Sequence, residues 1–168
     1  MGILDGYEPR RSHVLGVGEL AESVYLRCPS AVGTEVVAAA WLHDVGYAEG
    51  VKDTGFHPVD GANFLRSRGW DPRVCSLVAF HTGAQIEAEE RGVSGSLDTF
   101  ERPPALDLDM LTLFDLSVDP EGRPIDPSER IDEILRRYDV EEPVHRAIRR
   151  SGADLIESAK RAAQRISD

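Results

Sequence analysis

The feature that most constrains this chain is that its apolar residues recur at helical spacing while histidines and an aspartate sit inside the apolar stripes. His13 is followed by Val17, Leu20, Ala21 and Val24, at offsets of four, seven, eight and eleven. That is one face of an amphipathic helix, so His13 points inward. His43 follows Val36, Ala39 and Ala40 at seven, four and three residues, and His81 follows Val74, Leu77 and Val78 in the same pattern. Asp115 lies seven residues after Leu108 and four after Leu111, which puts a carboxylate on a core-facing position. A lone inward histidine is usually a hydrogen-bonded core residue, and a lone buried carboxylate is expensive. Inward histidines and carboxylates that converge on a cation compensate one another, and such side chains are the ligands of divalent transition metals.

Periodicity predicts helices almost throughout. One runs from about Arg10 to Arg27 and stops at Cys28-Pro29; a second runs from about Gly33 to Val45 and ends at Gly46. After a loop from Tyr47 to Phe56, His57-Pro58 opens a helix with proline at its first position and Asp60 in its first turn. Asp71 caps the helix that carries His81. Residues 91–104, with Gly92, Gly95, Pro103 and Pro104, read as a long connection able to form one wall of an active site. The Asp115 helix follows, then a turn from Asp119 to Pro124, a helix from Asp126-Pro127, and a helix from Pro143 to about Ile166 with a weak point at Gly152. No repeat, low-complexity tract or convincing strand is evident.

With 168 residues and 41% hydrophobic content, the chain suits one well-buried domain. The expected unit is residues 1–168, with a core at about 10–140 and a helical extension at 141–168. Thirty acidic against nineteen basic residues give a net charge of −11, which argues against duplex nucleic acid as a partner. Cys28 and Cys75 form no CxxC pair and read as reduced thiols within helices, which points to the cytoplasm. No leader-like N-terminus and no long apolar run is present, so neither export nor contact with a membrane is expected.

The order His13, His43-Asp44, His57, His81, Asp115 resembles the HD-domain superfamily of metal-dependent phosphohydrolases. Trp41-Leu42-His43-Asp44-Val45-Gly46 is similar to the family signature, and the resemblance spans roughly residues 10 to 140. It implies an all-α bundle of about six to eight helices with a metal site at its centre. It also implies that His13, His43, Asp44 and Asp115 bind one metal, and that Asp44 bridges to a second held by His57 and His81. Two such metals about 3.5–4 Å apart share a hydroxide nucleophile and neutralise phosphate charge. Many relatives carry Lys, and one branch Glu, three residues after the Asp of the pair, where this chain has Tyr47. Among neighbouring carboxylates, Asp115 is favoured by its helical phase and by Phe114-Asp115-Leu116-Ser117, which is similar to the family's terminal Asp; Asp109 and Asp119 remain alternatives and Asp107 faces solvent.

Other polar residues near these ligands are candidates for contact with substrate: Lys52, Arg10 or Arg11 and Arg123 as phosphate-binding cations, and Tyr47, Thr54 and Thr82 as hydrogen-bonding groups. Glu87, Glu89 and Glu90 read as acidic surface, and His145 as a surface or packing residue remote from the set. The expected cofactor is a pair of divalent transition metals, iron or manganese favoured, with zinc, cobalt or nickel also compatible and magnesium disfavoured by the nitrogen-rich set. The expected partner is a small phosphorylated molecule, a nucleotide or another metabolite, and homodimerisation is left open. The rival readings are a di-iron oxygenase with the same ligands and a non-catalytic ligand-binding module.

Overall fold

A computed structural model describes residues 10–167. Among these residues the chain forms eight α-helices: α1 (Arg10–Arg27), α2 (Thr34–Leu42), α3 (His57–Ser67), α4 (Pro72–Phe80), α5 (Ala84–Arg91), α6 (Ala105–Leu116), α7 (Pro127–Arg137) and α8 (Pro143–Ser167). Short 3-10 turns occupy Val45–Tyr47 and Ser94–Thr99. The extended pairing among the described residues is an isolated bridge between Val118 and Pro124, so the fold is all-α. None of the described helices is long and apolar enough to cross a membrane.

The helix starts follow from local chemistry. Asp71 accepts the Arg73 backbone N–H at 2.7 Å, and Asp126 accepts that of Ser128 at 2.8 Å, each satisfying an orphan donor of the first turn. Pro58, Pro72 and Pro127 sit in first turns, where the missing N–H is no loss.

Helix α6 runs through the interior: Met110, Leu111, Phe114 and Leu116 are all but fully buried. Helices α2 and α8 pack against it, and α1 against α2. Gly18 on α1 is where Trp41 of α2 lies; a Cβ there would come within 2.2 Å of the indole. Leu116, Ile131, Ile134, Ile148 and Leu155 form a second apolar cluster that joins α6, α7 and α8.

Several boundaries differ from the sequence expectation. Helix α2 stops at Leu42 rather than Val45, so His43 caps it and Asp44 stands in the turn beyond. His81 is the residue after α4, with extended backbone, rather than a helical residue. Cys28 falls just outside α1 and is half-buried, whereas Cys75 is buried on α4; both are free. The C-terminal helix α8, expected as a helical extension, lies along α5, α6 and α7. It is fastened to α6 by Ser158 and Arg161, which both donate to Asp109, and to α5 by Arg146 and Arg150, which both pair with Glu90.

Candidate metal centre

Five helices deliver the polar side chains to one place. His13 comes from the buried face of α1. His43 and Asp44 leave the end of α2, His57 opens α3, His81 ends α4 and Asp115 lies near the end of α6. The donor atoms fall into two groups, His13 with His43 and Asp115, and Asp44 with His57 and His81, the atoms of each lying within 4.8 Å of one another. Asp44 stands between them. Its Oδ2 is 3.7 Å from His43 Nε2, while its Oδ1 is 3.5 Å from His57 Nε2 and 3.9 Å from His81 Nε2. His43 Nε2 is also 3.8 Å from Asp115 Oδ1.

The imidazoles are oriented from behind. His43 Nδ1 donates to the Ala40 carbonyl at 2.9 Å, His81 Nδ1 to that of Val78 at 2.6 Å, and His13 Nδ1 to that of Asp119 at 3.3 Å. With the proton committed to Nδ1, the lone pair of each neutral ring is on Nε2 and turned inward, as in metal-binding histidines generally. His57 is held differently, its ring stacked on Tyr47 with centroids 3.9 Å apart and planes inclined by 21°. The Arg10 guanidinium covers the Tyr47 ring at 3.6 Å and donates to Asp44 Oδ2 at 2.8 Å.

The donor set fits divalent metals on its own chemistry. His13 and His43 bring their Nε2 atoms to 3.4 Å and His57 and His81 to 3.3 Å, spacings that two imidazoles adopt when both ligate one ion at roughly 2.0–2.1 Å. His13 Nε2, its Nδ1 already donating, meets Asp115 Oδ1 at 3.0 Å, a pair that a cation or a shared proton must reconcile.

Electrostatics keep both carboxylates, His43 and His57 in binding form. Burial alone would raise Asp44 and Asp115, but His43 and Arg10 hold Asp44 well below the usual carboxylate range, and the His13 hydrogen bond with the neighbouring histidines does the same for Asp115. Burial lowers His43 and His57, so both are neutral near pH 7. Burial also pulls on His13, but the Asp115 hydrogen bond and the charges of Asp115 and Asp44 outweigh it and raise that group. Burial raises the Tyr47 phenol.

Backbone contact explains the glycine after His43-Asp44. A Cβ on Gly46 would sit 1.9 Å from the His57 carbonyl oxygen, and one on Gly61 would sit 3.0 Å from the Gly46 nitrogen. The Val45–Tyr47 turn therefore lies directly on the first turn of α3, which sets His57 beside Asp44. Asp60 fixes the preceding loop by accepting from the backbone of Asp53, Thr54 and Gly55 and from the Thr54 hydroxyl.

The remaining candidates separate clearly. Asp109 is occupied by Ser158 and Arg161, away from the histidines. Asp119 offers the site its carbonyl, while its carboxylate binds the Arg123 side chain and the turn. Arg123 is thus paired outside the metal pocket. Lys52 pairs with Glu49 in an exposed loop, and Arg11 is exposed on α1. The Thr54 hydroxyl is committed to Asp60. Tyr47 and Thr82 both line the pocket. Thr82 adopts a positive φ of 32°, unusual outside glycine, and its buried Oγ1 has no hydrogen-bond partner among the described residues. His145 is buried on α8 and stands apart from both ligand groups.

Residues 91–104 do not line this pocket; Thr99 to Pro104 border a separate cavity with Trp70 and Cys75. The wall is built instead by α7 and α8, through Arg130, Ile134, Arg137, Val144 and Ile148. Glu87, expected at the acidic surface, lines it too. The sequence carried a signal for α7, since residues 130, 134 and 137 recur at helical spacing and two of them are arginines. Arg10 was legible in the same way, one turn before His13.

Comparison with known proteins agrees with this geometry. The HD domain family matches residues 10–142. A segment of 79 residues, 47% of the chain, is 40% identical to part of a tRNA (cytidine(56)-2'-O)-methyltransferase from Thermoplasma volcanium. The chain spans only 22% of that enzyme's length. No solved structure matches the chain. The helical bundle, the His-Asp turn at its centre and the extent of the family match together establish that the chain belongs to the HD domain family.

Proposed function

We propose that this protein is a metal-dependent phosphohydrolase that cleaves a phosphate ester of a small nucleotide or another phosphorylated metabolite. The observation that carries the reading is the position of Asp44, whose two oxygens each face a different imidazole group. His13, His43 and Asp115 would hold one divalent metal, His57 and His81 a second, with Asp44 common to both. Such nitrogen-rich sets suit iron, manganese, zinc, cobalt or nickel, iron and manganese being favoured. Bound metals would supply the Lewis acidity that activates water and neutralises phosphate.

The chain's own groups do the rest. The carbonyls of Ala40, Val78 and Asp119 hold three imidazoles in the ligating tautomer. Arg10 adds a fixed positive charge at the rim, suited to a phosphate oxygen, while Thr82 offers an uncommitted hydroxyl inside the pocket. Tyr47, stacked between Arg10 and His57, excludes water from one face of the second ligand group. Cys28 and Cys75, both free, suit a cytoplasmic enzyme. The methyltransferase relative lends no activity to this reading, because the matched segment is a minor part of that enzyme.

The test is phosphate release from a panel of phosphate esters by protein loaded in turn with manganese, iron, cobalt and zinc. Metal-dependent release that chelation abolishes supports the proposal. Iron binding with oxygen uptake and no phosphate release in any metal would replace it with oxygenase chemistry, and metal binding with neither would leave a binding module.

A further inference from the structure

The pocket at the ligands has a volume of about 90 Å³, a few times the roughly 30 Å³ that one water occupies in the liquid. That is room on the scale of a phosphoryl group, so the rest of an ester would extend beyond it. Beside it lies a groove of about 940 Å³ between α1, α7 and the turn that contains Asp119. Five residues border both spaces: Arg10, His13, Arg130, Arg137 and Tyr138. Three of the five are arginines and none is a carboxylate, in a chain whose net charge is −11.

Arg10 is paired with Asp44, but Arg130 and Arg137 are not fully neutralised by their neighbours. Arg130 and Arg137 both pair with the single carboxylate of Glu133, which leaves one positive charge over. The Arg130 side chain is only 8% exposed, and its Nε has no hydrogen-bond partner among the described residues. A guanidinium buried at the junction of two cavities with a donor unused is a geometry that phosphate oxygens satisfy, often in pairs. Farther out, Asp119, Glu121, Glu129 and Asp132 outnumber Arg123 and Arg136, and Arg123 is itself paired with Asp119 and Glu121, so the favourable field is strongest at the shared wall.

We propose that Arg10, Arg130 and Arg137 bind a second phosphate of the substrate, so that the preferred substrates carry a further phosphate joined to, or a few bonds from, the phosphoryl group at the metal centre. This rests on the phosphohydrolase reading and narrows it to small di-, tri- or bisphosphate compounds. The acidic outer groove disfavours long polyanions, in keeping with the overall charge.

The test is calorimetric binding of inorganic phosphate and inorganic tripolyphosphate to the manganese-loaded full chain, with phosphate release and bound manganese measured on the same samples so that affinity is read apart from turnover and loss of metal. Wild-type protein is expected to bind tripolyphosphate about tenfold or more tightly than phosphate. Arg137→Ala, at an exposed position that does not threaten folding, should reduce that ratio about fivefold or more, and Arg130→Gln should reduce it further. Lys160→Ala, which removes an exposed positive charge on α8, should leave it unchanged. A ratio near one in wild type, or a ratio unaltered in Arg137→Ala, would overturn the proposal and confine Arg130 and Arg137 to a structural ion-pair role with Glu133. A preference for tripolyphosphate that Arg137→Ala removes, with no ester hydrolysed, would instead sink the hydrolase reading and leave the anion wall standing.

Discussion

At the scale of single residues, Asp44 is the side chain on which the centre depends, since it is the one carboxylate placed between both imidazole groups. Asp44→Ala should lose both metals and all turnover, whereas His81→Ala should lose the second metal and retain most of the first; elemental analysis of purified variants reads the difference. Tyr47 makes a subtler prediction. It holds His57 by stacking, where the other three imidazoles are held by carbonyls. Tyr47→Phe keeps the ring and should bind the second metal as wild type does, while Tyr47→Ala should weaken it by about 10–100-fold, the usual effect of losing an outer partner. Equal losses in both variants, measured by metal titration, would show that the hydroxyl rather than the ring matters. His13, His43 and His81 were legible in the sequence because each shares phase with apolar neighbours, whereas His57 followed only from the family likeness. The separation of Asp115 from Asp109 followed partly from phase and partly from family likeness, and its physical basis, Arg161 and Ser158 of α8 taking up Asp109, is a long-range contact that no local pattern reveals.

At the scale of elements, the centre depends on how helices end. Helix α2 stops before His43, which lets Asp44 turn inward, and the Val45–Tyr47 turn rests on α3 through Gly46. Gly46→Ala should destabilise the protein by about 1–3 kcal/mol or more, as overpacking does, and should displace His57 from Asp44. Chemical denaturation and metal titration of that variant should therefore fail together; a stable Gly46→Ala protein with two metals would contradict the packing described. The sequence located α1, α3, α6, α7 and α8 closely because prolines, caps and long stripes mark them. It carried α2 and the His81 helix too far at their C-termini, since His43 and His81 keep helical phase with residues behind them while the backbone has already left the helix. It also placed the site wall in residues 91–104, whereas α7 and α8 supply it; loop composition says nothing of which cavity a loop borders.

At the scale of the whole molecule, the C-terminal helix closes the fold. The clasp between α6 and α8 gives stability a defined pH response. Burial alone would raise Asp109, but Arg161 and Ser158 overcome it and hold the group below its usual value. A carboxylate with a depressed folded pKa contributes stability above its unfolded pKa of about 3.9, and that contribution is lost as pH falls through the folded value. Asp109→Asn should therefore lower the thermal midpoint at pH 7 and flatten its decline below about pH 4. Parallel midpoint curves for wild type and variant across that range would show that the clasp does not titrate as described. The role of α8 was not legible in the sequence, because the residues it meets on α5 and α6 lie some 50 to 60 positions away.

The proposed centre holds two metals that share Asp44. Its most direct test is the metal content of the full chain purified without chelator under low oxygen. Close to two equivalents of iron or manganese per chain are expected, falling to near zero in Asp44→Ala; a single equivalent in wild type, or full occupancy in Asp44→Ala, would contradict a shared two-metal centre.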